Sequence, residues 1–316
     1  MRGALVARET RVLTSPRPMP TRFHTVALIG RYADPLVAEA MAALARHGAT
    51  RGVRVLIDAE CPGEFPAGVE RTAEGALAQG AELLVSVGGD GTLLYAARLA
   101  EGTSVPLLGI NRGRLGFLAD VSSQEMLERF DDVLEGAYSE DPRRLLEARI
   151  ERAGEPARRT RALNDVVLQK WQTGRMLDFE TWIDGRYVNT HGGDGLVIAT
   201  STGSTAYAMS CGGPIIEPSL EAIVLAPISP HTLSDRPIVV SARSRLEVRL
   251  VAQAPVKAQI TCDGVVLGDL EASDTLKVEP AGSLITLLHP PGHDFYRILR
   301  SKLHWGRGAR YGNPES

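Results

Sequence analysis

The sequence predicts an α/β protein. Its amino-terminal part reads as a doubly wound, mostly parallel α/β domain, and its carboxy-terminal part as a β-rich, antiparallel, sandwich-like domain. Two patterns carry that expectation. Up to about residue 143, short apolar strands alternate with stretches of helical periodicity, as in parallel β-α-β units. Beyond it strand follows strand, with hairpin turn chemistry at Asp184-Gly185 and Asp263-Gly264.

Taken in order, residues 26–29 read as a buried strand. Leu36, Val37, Ala40, Met41 and Leu44 then recur at helical spacing, with Gly48 as the expected stop. Residues 53–57 read as a second strand and 69–79 as a second helix. A third strand, 83–87, runs into Gly88-Gly89-Asp90-Gly91-Thr92 and a helix reaching Leu99. Residues 105–110 form a fourth strand and 123–134 another helix. In the second part, 145–150, 162–168, 177–183, 196–199, 238–240, 246–251, 258–262 and 275–278 read as strands, and only 204–210 as a short helix. The expected division is an α/β domain at 23–143, a β-rich domain at 144–289, and a tail at 290–316 that packs back on the first domain.

Residues 1–22 carry five arginines and a single acid, Glu9, without the apolar stretch of a secretory signal. They read as a disordered tail or as sequence upstream of the true start, with Met19 as the candidate; an Arg-rich transit peptide is the alternative. The composition is that of a globular protein, with 44% hydrophobic and 23% charged residues. A net charge of −3 and an aromatic content of 5% argue against nucleic acid or a membrane surface as the main partner. No apolar run approaches the ~20 residues that span a bilayer. Cys61, Cys211 and Cys262 are odd in number and far apart, and no CxxC or Cys/His spacing suggests zinc. Reduced thiols in a cytoplasmic protein are the expectation.

Gly88-Gly89-Asp90-Gly91-Thr92 lies between a buried strand and a helix, at the carboxyl edge of a parallel sheet where such proteins bind ligands. Glycines let the backbone approach an anion, and the first N–H groups of the helix point at it. Asp90 is the informative oddity. A carboxylate beside polyphosphate is costly unless it takes a proton from a nucleophile or faces a magnesium ion. Neither GxxxxGK[ST] nor a helix-opening GxGxxG occurs, which excludes a P-loop protein and the usual hydride-transfer domain.

Three more segments bear on chemistry. Asn111-Arg112-Gly113-Arg114-Leu115-Gly116-Phe117 follows the fourth strand, and Arg112 or Arg114 can pair phosphate or be solvated on a turn. Asn164-Asp165 lies in an apolar run and must be satisfied by partners or bind something. Residues 193–207 carry an apolar strand into a hydroxyl-rich glycine turn, an array of donors and acceptors for ribose hydroxyls and an adenine edge. Within it Asp194 suits a ribose and Tyr207 can stack on a ring.

Taken together and in order, GGDGT, GINRGRLGF, LNDVVL, DGLVIATSTGSTAYAMSCGGP and PHTLSDRP make the sequence similar to the NAD kinase (ATP-NAD kinase) family, bacterial type, from about Thr25 to Trp305. GGDGT alone is shared with diacylglycerol, sphingosine and 6-phosphofructo kinases; the ordered set is specific. The resemblance implies an active site in a cleft between the two domains, a homodimer or homotetramer, and transfer of the γ-phosphoryl group of ATP to the 2′-hydroxyl of the adenosine ribose of NAD. It implies Mg²⁺ held mainly by the ATP phosphates, with no protein-only site. Position by position, Asp90 resembles the catalytic acid, with Gly88, Gly89, Gly91 and Thr92 as its phosphate loop. Asn164 and Asp165 match an Asn-Glu pair with a shortened acid. Arg175 aligns with a basic position facing the dinucleotide, Asp194 with a ribose-binding acid, and Thr205, Ala206, Tyr207 and Ser210 with the adenosine-wrapping segment. Asp263 aligns with an acid near the phosphates, and Arg112 is a possible phosphate helper. Two positions depart from the family. Val265 stands where many relatives have glutamine, and Gly192 where NAD-restricted relatives often carry arginine. The rival readings are a lipid or sphingoid-base kinase, which needs an apolar acceptor groove, and a catalytically silent dinucleotide sensor.

Overall fold

The structure is a computed structural model that describes residues 21–113, 116–171, 176–251 and 257–305. The expected amino-terminal tail, residues 1–22, falls almost wholly outside the described residues. Strand β1 (Thr25–Gly30) is apolar on both faces and sits inside a parallel array. Helix α1 (Pro35–Thr50) follows, with Asp34 accepting the Leu36 N–H at 2.9 Å and Pro35 in its first turn. Then come β2 (Arg54–Asp58), β3 (Val69–Thr72), the single turn α2 (Leu77–Gly80), β4 (Leu83–Gly88), α3 (Asp90–Leu99), β5 (Leu107–Asn111), the short β6 (Val121–Ser122) and α4 (Met126–Leu134). The strand order is β5-β4-β1-β2-β3, with neighbours parallel. Val37, Met41 and Leu44 of α1 and Phe130 of α4 pack with Leu28, Val85 and Ile110, while Leu77, Leu93 and Ala96 cover Ala27, Leu84 and Leu107. Helices on both faces make the array doubly wound.

Two expectations change here. Gly48 does not stop α1, which runs to Thr50; a methyl group there would lie 2.9 Å from Val55 Cγ2, so the glycine lets the helix sit close on β2. Residues 69–79 are not one helix. The first four form β3, a half-exposed edge strand completing the parallel array, and only Leu77 and Ala78 of the segment that follows are buried in a helical turn. The open edge of β2 overrides a weak helical pattern.

The second half is sandwich-like. It comprises β7 (Ser139–Glu151), β8 (Arg158–Ala162), β9 (Asp165–Lys170), β10 (Leu177–Ile183), β11 (Arg186–Gly193), β12 (Gly195–Thr200), the single turn α5 (Tyr207–Ser210), β13 (Ala222–Ile228), β14 (Ile238–Ser241), β15 (Leu246–Leu250), β16 (Ala258–Cys262), β17 (Val265–Leu270) and β18 (Thr275–His289), followed by α6 (Phe295–Leu303). One antiparallel sheet has the order β14-β13-β12-β9-β16-β17. Its Val166, Leu168, Ile198 and Ile260 interlock with Ala148, Phe179, Val248 and Val278 of the facing strands. The expected strand at 162–168 is two strands. β8 pairs with β7 and β9 with β12 and β16, so the chain changes sheets at Leu163-Asn164. Asp184-Gly185 and Asp263-Gly264 turn as anticipated, with φ of 50°, 75°, 47° and 77°.

β18 is far longer than the expected 275–278. It pairs antiparallel with β15 and β7 and parallel with β5, through Leu287 opposite Leu107, so strands of both halves belong to one sheet. After it the chain returns to the first half, where Lys302 Nζ lies 5.5 Å from the centre of the Phe117 ring. No helix among the described residues is long and apolar enough to cross a membrane. Gly48→Leu should overpack the α1–β2 contact and cost about 1–3 kcal/mol, read as a lowered urea midpoint with unchanged m-value. A neutral or stabilising result would return Gly48 to the role of a helix stop.

Candidate active site

β4 delivers the chain to the head of α3. A side chain at Gly88 would overlap Thr92, whereas methyl groups at Gly89 or Gly91 would meet nothing within 4 Å, so the space before the helix is open. No side chain caps this N-terminus. The N–H groups of Thr92 and Leu93 both bond the Gly89 carbonyl, at 2.9 and 3.2 Å. The two preceding amides face outward with the helix dipole behind them, an arrangement suited to an anion.

Asp90 lies in this first turn, but its carboxylate is not idle. Oδ2 accepts the Phe117 N–H at 2.9 Å, and Oδ1 accepts those of Leu118 and Ala119, each at 3.1 Å. A side chain at Gly116 would overlap Asp90 Oδ1, which explains the second glycine of the Asn111–Phe117 motif. Arg112 donates its backbone N–H to Gly88 O at 2.9 Å, and its Nε is buried without a hydrogen-bond partner. Arg114 lies outside the described residues.

Across the cleft, the sheet change at residues 163–165 exposes three consecutive amides that no strand partner satisfies. Asp263 takes all three, accepting from Leu163 at 2.7 Å, Asn164 at 2.8 Å and Asp165 at 3.1 Å. Burial and the neighbouring Asp263 charge push the Asp165 carboxyl up to about 7. Burial also raises Asp263, with its amide bonds opposing. Asn164 Oδ1 is buried with no hydrogen-bond partner among the described residues. Leu163 packs in the same apolar cluster as Leu93, which brings this segment beside α3.

The hydroxyl-rich turn differs from its expectation. Thr200 Oγ1 donates to Leu163 O at 2.6 Å and accepts the Gly203 N–H at 3.0 Å. Ser204 Oγ donates to Ser201 O at 2.7 Å and accepts the Ile216 N–H at 3.0 Å. Ser201 bonds the Leu220 carbonyl, Thr205 bonds Thr202 O at 3.4 Å, and Thr202 Oγ1 accepts from Arg143 at 3.1 Å. These groups are buried and build the turn. Ala206, Tyr207 and Ser210 are the members open to a ligand.

Asp194 is placed elsewhere. Its backbone pairs with Lys170, and its carboxylate lies 2.5 Å from Lys170 Nζ, a partner missed in the sequence. Asp165 stands at the other end of β9, five residues and roughly 16 Å away. Gly192 pairs with Asp178 on β10, where a methyl group would lie 3.1 Å from Asp178 Oδ1 and 3.2 Å from Met176 Sδ. Arg175 lies outside the described residues.

A cavity of about 710 Å³ opens between the halves, bounded by Gly30, Gly91 and Thr92 on one side and by Asp263, Gly264 and Val265 on the other. That volume suits a small molecule. Arg31, Tyr32, Asp58, Glu74, Tyr95 and Arg98 also line it, all outside the motifs that carry the family resemblance. A signal existed, because Arg31-Tyr32 and Asp58 stand where β1 and β2 end, at the carboxyl edge that carries ligands in such sheets. Burial, then Glu74, lifts the Tyr95 hydroxyl to about 12.

Comparison with known proteins bears on this arrangement. Residues 36–138 match the ATP-NAD kinase N-terminal domain and residues 163–287 the ATP-NAD kinase C-terminal domain. A protein named NAD kinase from Methylococcus capsulatus is 43% identical over 287 residues, covering 91% of this chain and 99% of that relative. One of the same name from an Azoarcus species is 42% identical over 295 residues, covering 93% and 100%. Among solved structures, yeast NADH kinase complexed with NADH superposes with a TM-score of 0.83 at 25% identity, over 94% of this chain and 91% of that one. An NAD kinase from Archaeoglobus fulgidus in complex with ATP shares the fold, with a TM-score of 0.66 at 24% identity over 89% and 98%. Matched in order by both family models and more than 40% identical to relatives over nine-tenths of its length, the chain belongs to the ATP-NAD kinase family.

Proposed function

We infer that this enzyme transfers the γ-phosphoryl group of ATP to the 2′-hydroxyl of the adenosine ribose of NAD, making NADP. The observation that carries the reading is the uncapped, glycine-flanked head of α3 with Asp90 fixed in its first turn. Phosphoryl transfer passes through a loose transition state, so the protein mainly positions reactants and spreads charge. The free amides suit the polyphosphate, and Arg112, with its unpartnered Nε, stands near Gly88 to help. A carboxylate has about four lone-pair directions, and three at Asp90 are filled by amides, leaving about one for the hydroxyl of the acceptor. Asp90 orients that hydroxyl and takes its proton late, when the bond to phosphorus is forming.

Asn164, Asp165, Ala206, Tyr207 and Ser210 suit the dinucleotide. The orphan Asn164 Oδ1 calls for an N–H donor such as an exocyclic amine. Magnesium would be held mainly by the ATP phosphates; Asp58 and Glu74 line the cavity with the oxygen donors it prefers and would hold it through water, where it would neutralise phosphate charge. Asp194, far from Asp165 within one chain, can serve a ribose in the homodimer or homotetramer that the resemblance implies. The free thiols Cys61, Cys211 and Cys262 suit the cytoplasm.

Asp90→Asn should fold and bind NAD yet lose about 10²–10⁴-fold in turnover, measured as NADP formed from NAD, ATP and Mg²⁺. Retention of more than a tenth of the rate would remove Asp90 from its role. A second outcome concerns Asp165. Its folded carboxyl holds a proton up to about pH 7, whereas the unfolded one releases it near pH ~3.9. The folded chain therefore binds more protons across that window, and stability falls as pH rises through it. Asp165→Asn should then raise the melting temperature at pH 8 by several degrees, leave it nearly unchanged at pH 4.5, and weaken NAD binding. An equal effect at both pH values would sink the burial argument. Third, Gly192 keeps bulk and charge away from the strand edge before Asp194. NADH should be phosphorylated with a kcat/KM within about tenfold of NAD⁺, and Gly192→Arg should reduce NADH use more than NAD⁺ use. Strong NAD⁺ preference in the unaltered enzyme would contradict this.

A further inference from the structure

His289 ends β18, and Pro290-Pro291-Gly292 folds His293 back onto it. The two rings stack with centroids 3.7 Å apart and planes 18° from parallel. Both direct Nδ1 at one atom, Asp120 Oδ2, at 3.0 Å from His289 and in short contact with His293. The Asp120 and His289 side chains are only 8% and 3% exposed. Both imidazoles converge on one Asp120 oxygen, while Oδ1 is buried with no hydrogen-bond partner. The remote nitrogen of His289, Nε2, lies 3.2 Å from Asp141 Oδ2. A carboxylate behind the ring is how proteins orient a metal-bound histidine.

We propose that Asp120, His289 and His293 form a binding site for a divalent transition metal, zinc foremost, with a fourth position open to the adjoining cavity. The three ligand atoms lie within 4.8 Å of one another. Ligands on a tetrahedral zinc at 2.0–2.1 Å are about 3.3 Å apart, so small ring movements complete the site. The adjoining cavity, about 380 Å³ and bordered by Ser122, Glu125 and Asp294, leaves room for a water or a small ligand on the ion. Two imidazole donors exclude magnesium as the preferred ion, which separates this site from the magnesium that travels with ATP. The site is a clip. Asp120 follows Ala119, whose N–H holds Asp90, and Asp141 also binds Arg143, which donates to Thr202. An ion here ties the segment leading into α6 to both walls of the cleft.

The test uses the full-length chain after chelator treatment, titrated with zinc by calorimetry and checked by metal analysis after dialysis. One equivalent should bind with a Kd of micromolar or below, cobalt(II) should give the visible d–d band of a four-coordinate site, and zinc should raise the melting temperature. His293→Ala should weaken binding by more than about 100-fold, since loss of even an outer partner costs about 10–100-fold; Asp141→Asn should show that smaller loss. His191→Ala, which removes a different His–Asp pair, should leave zinc binding unchanged. Failure of the unaltered chain to bind one equivalent overturns the proposal, whatever the variants do. So does a folded His293→Ala that binds zinc as tightly as before. Should His293→Ala fail to fold, undiminished affinity in Asp141→Asn decides against it.

Discussion

One interaction recurs at the places where the fold stops being regular: a single carboxylate accepting three consecutive backbone N–H groups. Asp90 does this for residues 117–119 and Asp263 for residues 163–165. Both segments leave a sheet, so their amides lack ladder partners, and unpaired buried amides cost about 1–3 kcal/mol each. Charge-assisted bonds to a carboxylate are stronger than neutral ones, so one side chain can hold a whole turn. Without its acid each turn would be left with three unpaired amides. Each acid also lies at the cleft between the halves, so the same bonds that make the chain foldable set the walls of the site.

Holding the walls this way has electrostatic consequences. Asp263 is half-buried where it reaches its three amides, and it lies beside Asp165, which is buried. The two carboxyls disfavour each other's charge, which a core built only for stability would avoid. The orphaned Asn164 Oδ1 stands next to them. An unsatisfied acceptor and a carboxyl with a displaced proton equilibrium stand next to each other here, a combination that clusters at functional sites more often than in a core built for stability alone. By contrast the hydroxyls of residues 200–205 are engaged by their own turn and by the segments packed against it, at Leu163, Arg143, Ile216 and Leu220.

Much of this was legible in the sequence. The buried strand before Gly88, the glycines flanking Asp90 and the Asp-Gly turns each follow from local chemistry, and the ordered motifs gave the family. What escaped depends on partners remote in the chain. Gly48 reads as a stop until Val55 is seen against it, and residues 69–72 read as helix until the open edge of β2 claims them. Residues 162–168 form one apolar run, and only the pairing of β8 and β9 with different sheets reveals the break. The amides that hold Asp90 lie 27–29 residues away, and those held by Asp263 lie 98–100 away. Asp194 and Asp165 each stand before an apolar strand, and only the antiparallel register of β9 and β12 shows that they lie at opposite ends.

β18 decides how such a cleft can move. It pairs with β5 of the first half and with β7 and β15 of the second, so strands of both halves are hydrogen-bonded into one sheet. A hinge at this junction would have to break ladder bonds, unlike the flexible linker that usually joins domains. A change of shape at the cleft therefore costs least in the segments between strands, residues 116–120 and 163–164. Those are the two turns held by single carboxylates. Their rearrangement exchanges one set of bonds to a charged group for another, a far smaller cost than parting the sheet. The clamps that order the cleft are thus also the parts that can change shape at least cost.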